Sequence, residues 1–215
     1  MILSHSFLSY QFSTTYFVPS YQAWMEQQDL SPAYRWHRRF LQQLQWRCPA
    51  ERWLLKAPSH LPALEALLAV YPDAPVIFTH RDPLAVVASV ASLHTVLRST
   101  FSDAVDARAV GPEVAQMLAS DIARGLRARD RALAADQVLD VHYTDLTRDP
   151  LAVVHRIYAH CGLPLPALAE ARMRRYLAEH PQHQHGVHEY SLSRFGLDLA
   201  TEQERFRFYR ERFAL

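Results

Sequence analysis

Short unbroken apolar runs alternate with helically spaced apolar residues through the first half of the chain. Arg52 to Lys56 encloses one run, and Pro75-Val76-Ile77-Phe78-Thr79-His80 is another, rich in strong β-formers. Between them Leu61, Leu64, Leu67 and Leu68 recur at helical spacing, with Glu65 on the other side. Strand, helix and strand over so few residues predict a βαβ unit, parallel and right-handed. Asp82-Pro83 then marks a second helix start, with Asp as N-cap and Pro at the first helical position. Val138-Leu139-Asp140-Val141-His142-Tyr143 reads as a third strand.

The other elements predicted are mostly helices. Pro32 to Trp46 is amphipathic and rich in Trp, His and Arg, and residues 98–111 read as a mobile connection. Pro112 opens a long helix to about Ala135. Pro150 to His160 is a helix stopped by Gly162 and Pro164, and Pro166 to His180 is another. Thr201 to Phe213 forms the last, with Phe206, Tyr209 and Phe213 at helical spacing. No Pro/Gly/Ser-rich linker divides the chain. We expect residues 1–215 to form a single helix-rich α/β domain.

Charge and composition narrow the partners. A net charge of +1 gives no global drive toward nucleic acid or anionic membrane, so any anion site must be local. Cys48 and Cys161 are isolated, with neither zinc spacing nor a disulfide framework. The N-terminus lacks the features of a signal peptide, and no stretch is long and apolar enough to span a bilayer. The expectation is a cytoplasmic protein.

Candidate chemistry gathers at the strand exits, where open parallel sheets bind ligands. Lys56 is the only lysine among 23 basic residues. It reads either as a functional cation in the turn ending at His60 or as the solvated end of a strand. Arg81-Asp82-Pro83-Leu84-Ala85-Val86-Val87 recurs letter for letter as Arg148-Asp149-Pro150-Leu151-Ala152-Val153-Val154. The shared part is explained by helix-start chemistry. Downstream the copies differ: the first carries Ser89 where the second carries Arg156. An arginine fork and a hydroxyl converging on one point suit a phosphate. A helix start with a packed serine is the plainer reading.

Arg81-x-Pro83 followed by Ser89, after an apolar strand, resembles the 3′-phosphate-binding signature of sulfotransferases that use 3′-phosphoadenosine 5′-phosphosulfate (PAPS). Leu55-Lys56-Ala57-Pro58-Ser59-His60-Leu61 with His80-Arg81-Asp82-Pro83 is similar to the bacterial branch of that family. The likeness continues through Val141 to Leu146, Arg148-Asp149-Pro150, Gly186 to Leu192 and Phe195-Gly196-Leu197. It implies a P-loop-NTPase-like parallel sheet flanked by helices and transfer of a sulfuryl group from PAPS to a hydroxyl acceptor. Residue by residue, it implies that Arg81 and Ser89 hold the 3′-phosphate, His60 is the catalytic base, Lys56 steadies the sulfuryl group and Tyr143 contacts the adenine. The loop from His183 to His188 would close over nucleotide and acceptor, itself a small molecule, lipid or sugar. No metal is implied.

One departure stands out. The family begins with a strand and a loop that cradles the 5′-phosphosulfate, normally containing Gly or Pro with Arg or Lys and Ser/Thr. Here Ser13-Thr14-Thr15 has hydroxyls without a neighbouring base or glycine. The expectation is a family fold that is N-terminally incomplete, inclined to self-associate through an uncovered apolar face and weak in turnover. Two other classes remain open: a metal site among His180, His183, His185 and His188, and a non-catalytic nucleotide-binding or interaction protein using the Tyr34–Trp46 helix.

Overall fold

The computed structural model describes residues 2–181 and 191–215. Helices α1 (Gln11–Thr15), α2 (Pro19–Met25), α3 (Ser31–Gln45) and α4 (Leu64–Val70) precede strand β1 (Val76–His80). Helices α5 (Pro83–Ser99) and α6 (Ala107–Ala132) lead to β2 (Val138–His142). After β2 come α7 (Tyr143–Arg148), α8 (Pro150–His160), α9 (Ala167–Glu179), α10 (Leu199–Arg205) and α11 (Arg207–Phe213). Among the described residues the sheet is one parallel pair, in register from Val76 opposite Val138 to His80 opposite His142.

Local chemistry sets the helix starts. The Leu84 N–H donates to the Asp82 carboxylate at 3.0 Å, and Ala152 N–H donates to Asp149 at the same distance. Both copies of the repeat therefore open helices in the same way. The connection expected over residues 98–111 is shorter, because α6 begins at Ala107 and runs through Pro112. Asp106 caps it by accepting from Arg108 N–H at 2.8 Å. Burial of Val110 and Gly111 then carries the helix past the proline: a Cβ on Gly111 would lie 2.0 Å from the Phe195 carbonyl oxygen. The helix expected over residues 201–213 is divided at Phe206, which is fully buried in the core.

The strand expected at Arg52 to Lys56 is not formed. Residues 52–57 run without regular secondary structure, and Leu54 is 96% exposed. An apolar run becomes a strand only where another strand accepts its hydrogen bonds, and here none of the described residues does. The βαβ unit predicted from that run is thus replaced by β1–α5–α6–β2. The two strands are half-buried along most of their length; only His80 and Val141 are fully buried.

The main core lies between α5 and α6, where Leu84, Val87, Ala88 and Ala91 meet Val110, Val114 and Ala115 under Phe195, Leu197 and Phe206. A smaller cluster of Leu64, Leu68 and Ala128 packs beneath Val76 and Phe78. The N-terminal segment is tied down by polar groups. The buried Arg98 guanidinium donates to the Ser13 carbonyl at 2.6 Å while pairing with both Glu113 oxygens.

Asp121 on α6 accepts from the Tyr10 hydroxyl at 3.3 Å. Desolvation pushes its carboxyl up to about 6, against the pull of Arg124. A carboxyl raised above its unfolded value favours the folded state as pH falls through about 6 and opposes it above. Asp121→Asn is therefore expected to raise stability by on the order of 1–2 kcal/mol at about pH 8, the gain shrinking as pH falls and vanishing below about pH 3.5. Thermal unfolding at the two pH values checks this. A variant less stable than wild type at the higher pH would show that the Arg124 attraction outweighs the desolvation.

Candidate functional site

Two groups of side chains stand out, one at the strand exits and one beneath α3. The register of β1 and β2 brings Arg81 and Tyr143 out of the sheet side by side. The Arg81 guanidinium lies over the Tyr143 ring, 4.4 Å from its centroid. That stacking holds a planar fork in place while its charge faces solvent. Ser89 is half-buried on α5, seven residues after Asp82 and so on the same helix face, about 10 Å along the axis.

The second copy of the repeat is wired differently. Arg148 donates to Asp145 at 2.8 Å, Arg156 sits 3.7 Å from the other Asp145 oxygen, and it donates to the Asp140 carbonyl. Its arginines are thus neutralised by a carboxylate within α7. In the first copy the arginine meets an aromatic face instead. The distinction suits an anion site at Arg81 and a solvated helix start at Arg148.

His60 closes the turn Pro58–His60, which packs against α6 because Gly125 has no side chain there. A Cβ at that position would lie 2.3 Å from Leu61 Cδ1. The His60 Nδ1 is 2.7 Å from the hydroxyl of the fully buried Tyr34. Alongside, His37 Nδ1 is 2.8 Å from the Tyr71 hydroxyl, and the His37 ring meets His60 edge-on. Burial, and secondly the neighbouring His37, hold the His60 imidazole down to about 4. It is neutral at pH 7, with Nδ1 engaged and Nε2 left for other chemistry. Lys56 is exposed on the same segment, four residues earlier.

Sequence reasoning had placed Arg81, Ser89, Tyr143, His60 and Lys56 near the strand exits. The structure joins Arg81 with Tyr143, and it gives His60 a separate company of Tyr34, His37 and Tyr71. It also shows two residues that the sequence did not mark. Tyr34 falls on the buried stripe of α3 with Ala33, His37 and Leu41, a periodicity legible in advance, but its partner lies 26 residues away. His80, given no role beyond its place in the strand and in the family motif, is fully buried and bonded through both ring nitrogens. The α3 helix packs through that stripe, while Trp36 on it and Trp46 just past its end stay exposed.

His180 is exposed, its ring stacked on Tyr176. The proposed lid residues His183 to His188 lie outside the described residues, as does the metal-site alternative that used them. A separate apolar groove, lined by Leu151, Val154, Met173 and Tyr176, runs between α8 and α9 beside the second copy of the repeat.

Comparison with known proteins agrees with the motifs. Residues 1–167 match the model of the sulfotransferase family, and the chain belongs to that family. Among curated proteins it is 30% identical to the omega-hydroxy-beta-dihydromenaquinone-9 sulfotransferases of Mycobacterium bovis and Mycobacterium tuberculosis, covering 75% of this chain and 43% of theirs. Among solved structures it superposes on sulfotransferase STF9 from Mycobacterium avium with a TM-score of 0.87 at 34% identity. It superposes on sulfotransferase STF1 from Mycobacterium tuberculosis H37Rv with a TM-score of 0.81 at 36% identity. Each superposition covers 95% of this chain and 53% of the solved one, so the chain spans about half the length of these relatives. The fold is that of the sulfotransferases. Among the described residues no helix is long and apolar enough to cross a membrane.

Proposed function

We propose that the chain serves transfer of a sulfuryl group from PAPS to a hydroxyl acceptor, with Arg81 and Ser89 anchoring the donor and His60 activating the acceptor. The observation that carries this reading is the exposed Arg81 fork stacked on Tyr143 at the paired strand exits, beside a helix start that presents Ser89. A guanidinium, a hydroxyl and an aromatic face fit a phosphate and a purine. When bound, PAPS supplies the activated sulfuryl group and a phosphate leaving group.

The residues then divide the work. Arg81 and Ser89 hold the 3′-phosphate, and Tyr143 offers its ring to the adenine. In this reading the His60 proton sits on Nδ1 and is donated to the Tyr34 oxygen, which leaves a lone pair on Nε2 for the acceptor proton. As the acceptor oxygen bonds to sulfur, the S–O bond to the nucleotide phosphate breaks and its electron pair stays on that phosphate. Such in-line transfer needs positioning and charge stabilisation more than covalent help. Lys56 is the cation on the His60 segment available to the sulfuryl oxygens. The names of the Mycobacterium bovis and Mycobacterium tuberculosis relatives point to a lipid-like hydroxyl as the first acceptor class to try. Isolated Cys48 and Cys161 suit the cytoplasm, where thiols stay reduced.

Labelled PAPS offered with a panel of lipid, small-molecule and sugar hydroxyls tests the reading. Label is expected to move to at least one acceptor above the no-protein rate. Release of sulfate to water alone, with no acceptor product and no binding of 3′,5′-adenosine bisphosphate, would sink it.

A further inference from the structure

The residue just before Arg81 is a buried histidine bonded through both ring nitrogens. His80 is fully buried at the end of β1. Its Nε2 lies 2.7 Å from Asp140 on β2, and its Nδ1 lies 2.8 Å from the Tyr209 hydroxyl on α11. Phe213, one turn further along α11, stacks on the imidazole with centroids 3.9 Å apart. The Asp140 carboxylate is gripped by both terminal nitrogens of Arg129 from α6, at 2.5 and 2.7 Å.

For a neutral His80 ring, one arrangement of protons satisfies this network. Arg129, and then His80, hold the Asp140 carboxyl down to about 2, so it is ionised and can only accept. His80 must therefore carry its proton on Nε2. Its Nδ1 is left as an acceptor, and the Tyr209 hydroxyl donates to it. Desolvation lowers the His80 pKa and keeps the ring neutral. On the same helix, Arg210 Nε stands 3.9 Å from the Asp82 carboxylate. Helix α11 thus touches the chain at residues 80 and 82, on either side of Arg81.

We propose that Tyr209 is a positioning residue for the Arg81 anion site, fixing through His80 the strand exit that aims the guanidinium. The inference rests on reading Arg81 as the 3′-phosphate anchor. Packing alone does not require it. An apolar side chain of similar size would fill the His80 site without the cost of burying a polar ring, whereas a satisfied network fixes orientation.

A double-mutant cycle in binding of 3′,5′-adenosine bisphosphate, read by calorimetry, separates positioning from general packing. Tyr209→Phe is expected to weaken binding about tenfold when Arg81 is present and less than about twofold in the Arg81→Ala background. Equal losses in both backgrounds, or no loss beside an intact Arg81, overturn the proposal. The ¹⁵N spectrum of the wild-type protein adds a test that needs no nucleotide: His80 protonated at Nδ1 instead of Nε2 would also overturn it. If Tyr209→Phe fails to fold, Phe213→Leu takes its place in the cycle, with the same two outcomes. An Arg81→Ala protein that binds as tightly as wild type fails the anchor reading itself, and the positioning role with it. That outcome is distinct from a failed cycle.

Discussion

His60→Ala is expected to lower PAPS-dependent sulfation by about 10²–10⁴-fold, the range typical for loss of a general base. Binding of 3′,5′-adenosine bisphosphate should change by less than about twofold, because the His60 cluster and the Arg81 site are held by different elements. The pH profile sharpens the expectation. Burial and His37 hold the imidazole down to about 4. A base with a lowered pKa keeps its lone pair as the medium acidifies, so it is already fully available at pH 7. Against an ordinary histidine the gain in availability is under about twofold, while basicity falls by more than about two orders of magnitude. Weak basicity is thus the larger effect in the free protein.

Bound nucleotide opposes that effect. Its phosphates and the transferring sulfuryl group bring negative charge toward the His60 turn, which favours the imidazolium. The acid limb of kcat/KM reports the free protein and is expected near pH 4, while that of kcat reports the complex and is expected at higher pH. Two coincident limbs would show that the donor does not sense His60. Nearly full turnover by His60→Ala at neutral pH would remove His60 from the chemistry altogether.

Local chemistry was the legible layer of this chain. Asp82 and Asp149 announced their helices because an N-cap, its proline and the first amides sit within four residues of one another. Helix α8 runs over the predicted span from Pro150 to His160 for the same reason. Partners were the illegible layer. Arg52 to Lys56 has the composition of a strand, yet a strand exists only through its neighbour, and composition carries no record of one. The site divides along the same line. The repeat marked Arg81 and Ser89, and the likeness marked His60 and Tyr143, but the contacts that orient them span the sequence. Tyr34 reaches His60 from 26 residues away, and Tyr209 reaches His80 from 129. Periodicity assigns a residue to a buried face. It does not say which side chain waits opposite.

The repeat offers an internal control for the anion site. Arg81→Ala is expected to weaken 3′,5′-adenosine bisphosphate by on the order of 1.5–3 kcal/mol, about 10- to 150-fold, the usual contribution of a charge-assisted hydrogen bond. Arg148→Ala should leave the affinity unchanged within about twofold. The two arginines share the six residues that follow them, so composition and helix-start chemistry cancel in the comparison. What remains is the surroundings. Arg148 is 79% exposed and already paired with Asp145 three residues earlier, a surface ion pair contributing about 0–1 kcal/mol to stability and nothing to a ligand. Arg81 instead lies across the Tyr143 ring at the paired strand exits, with the Ser89 face of α5 rising behind it. Calorimetry on the two variants decides between the readings. Equal losses would reduce both copies to helix starts and leave the 3′-phosphate without its anchor.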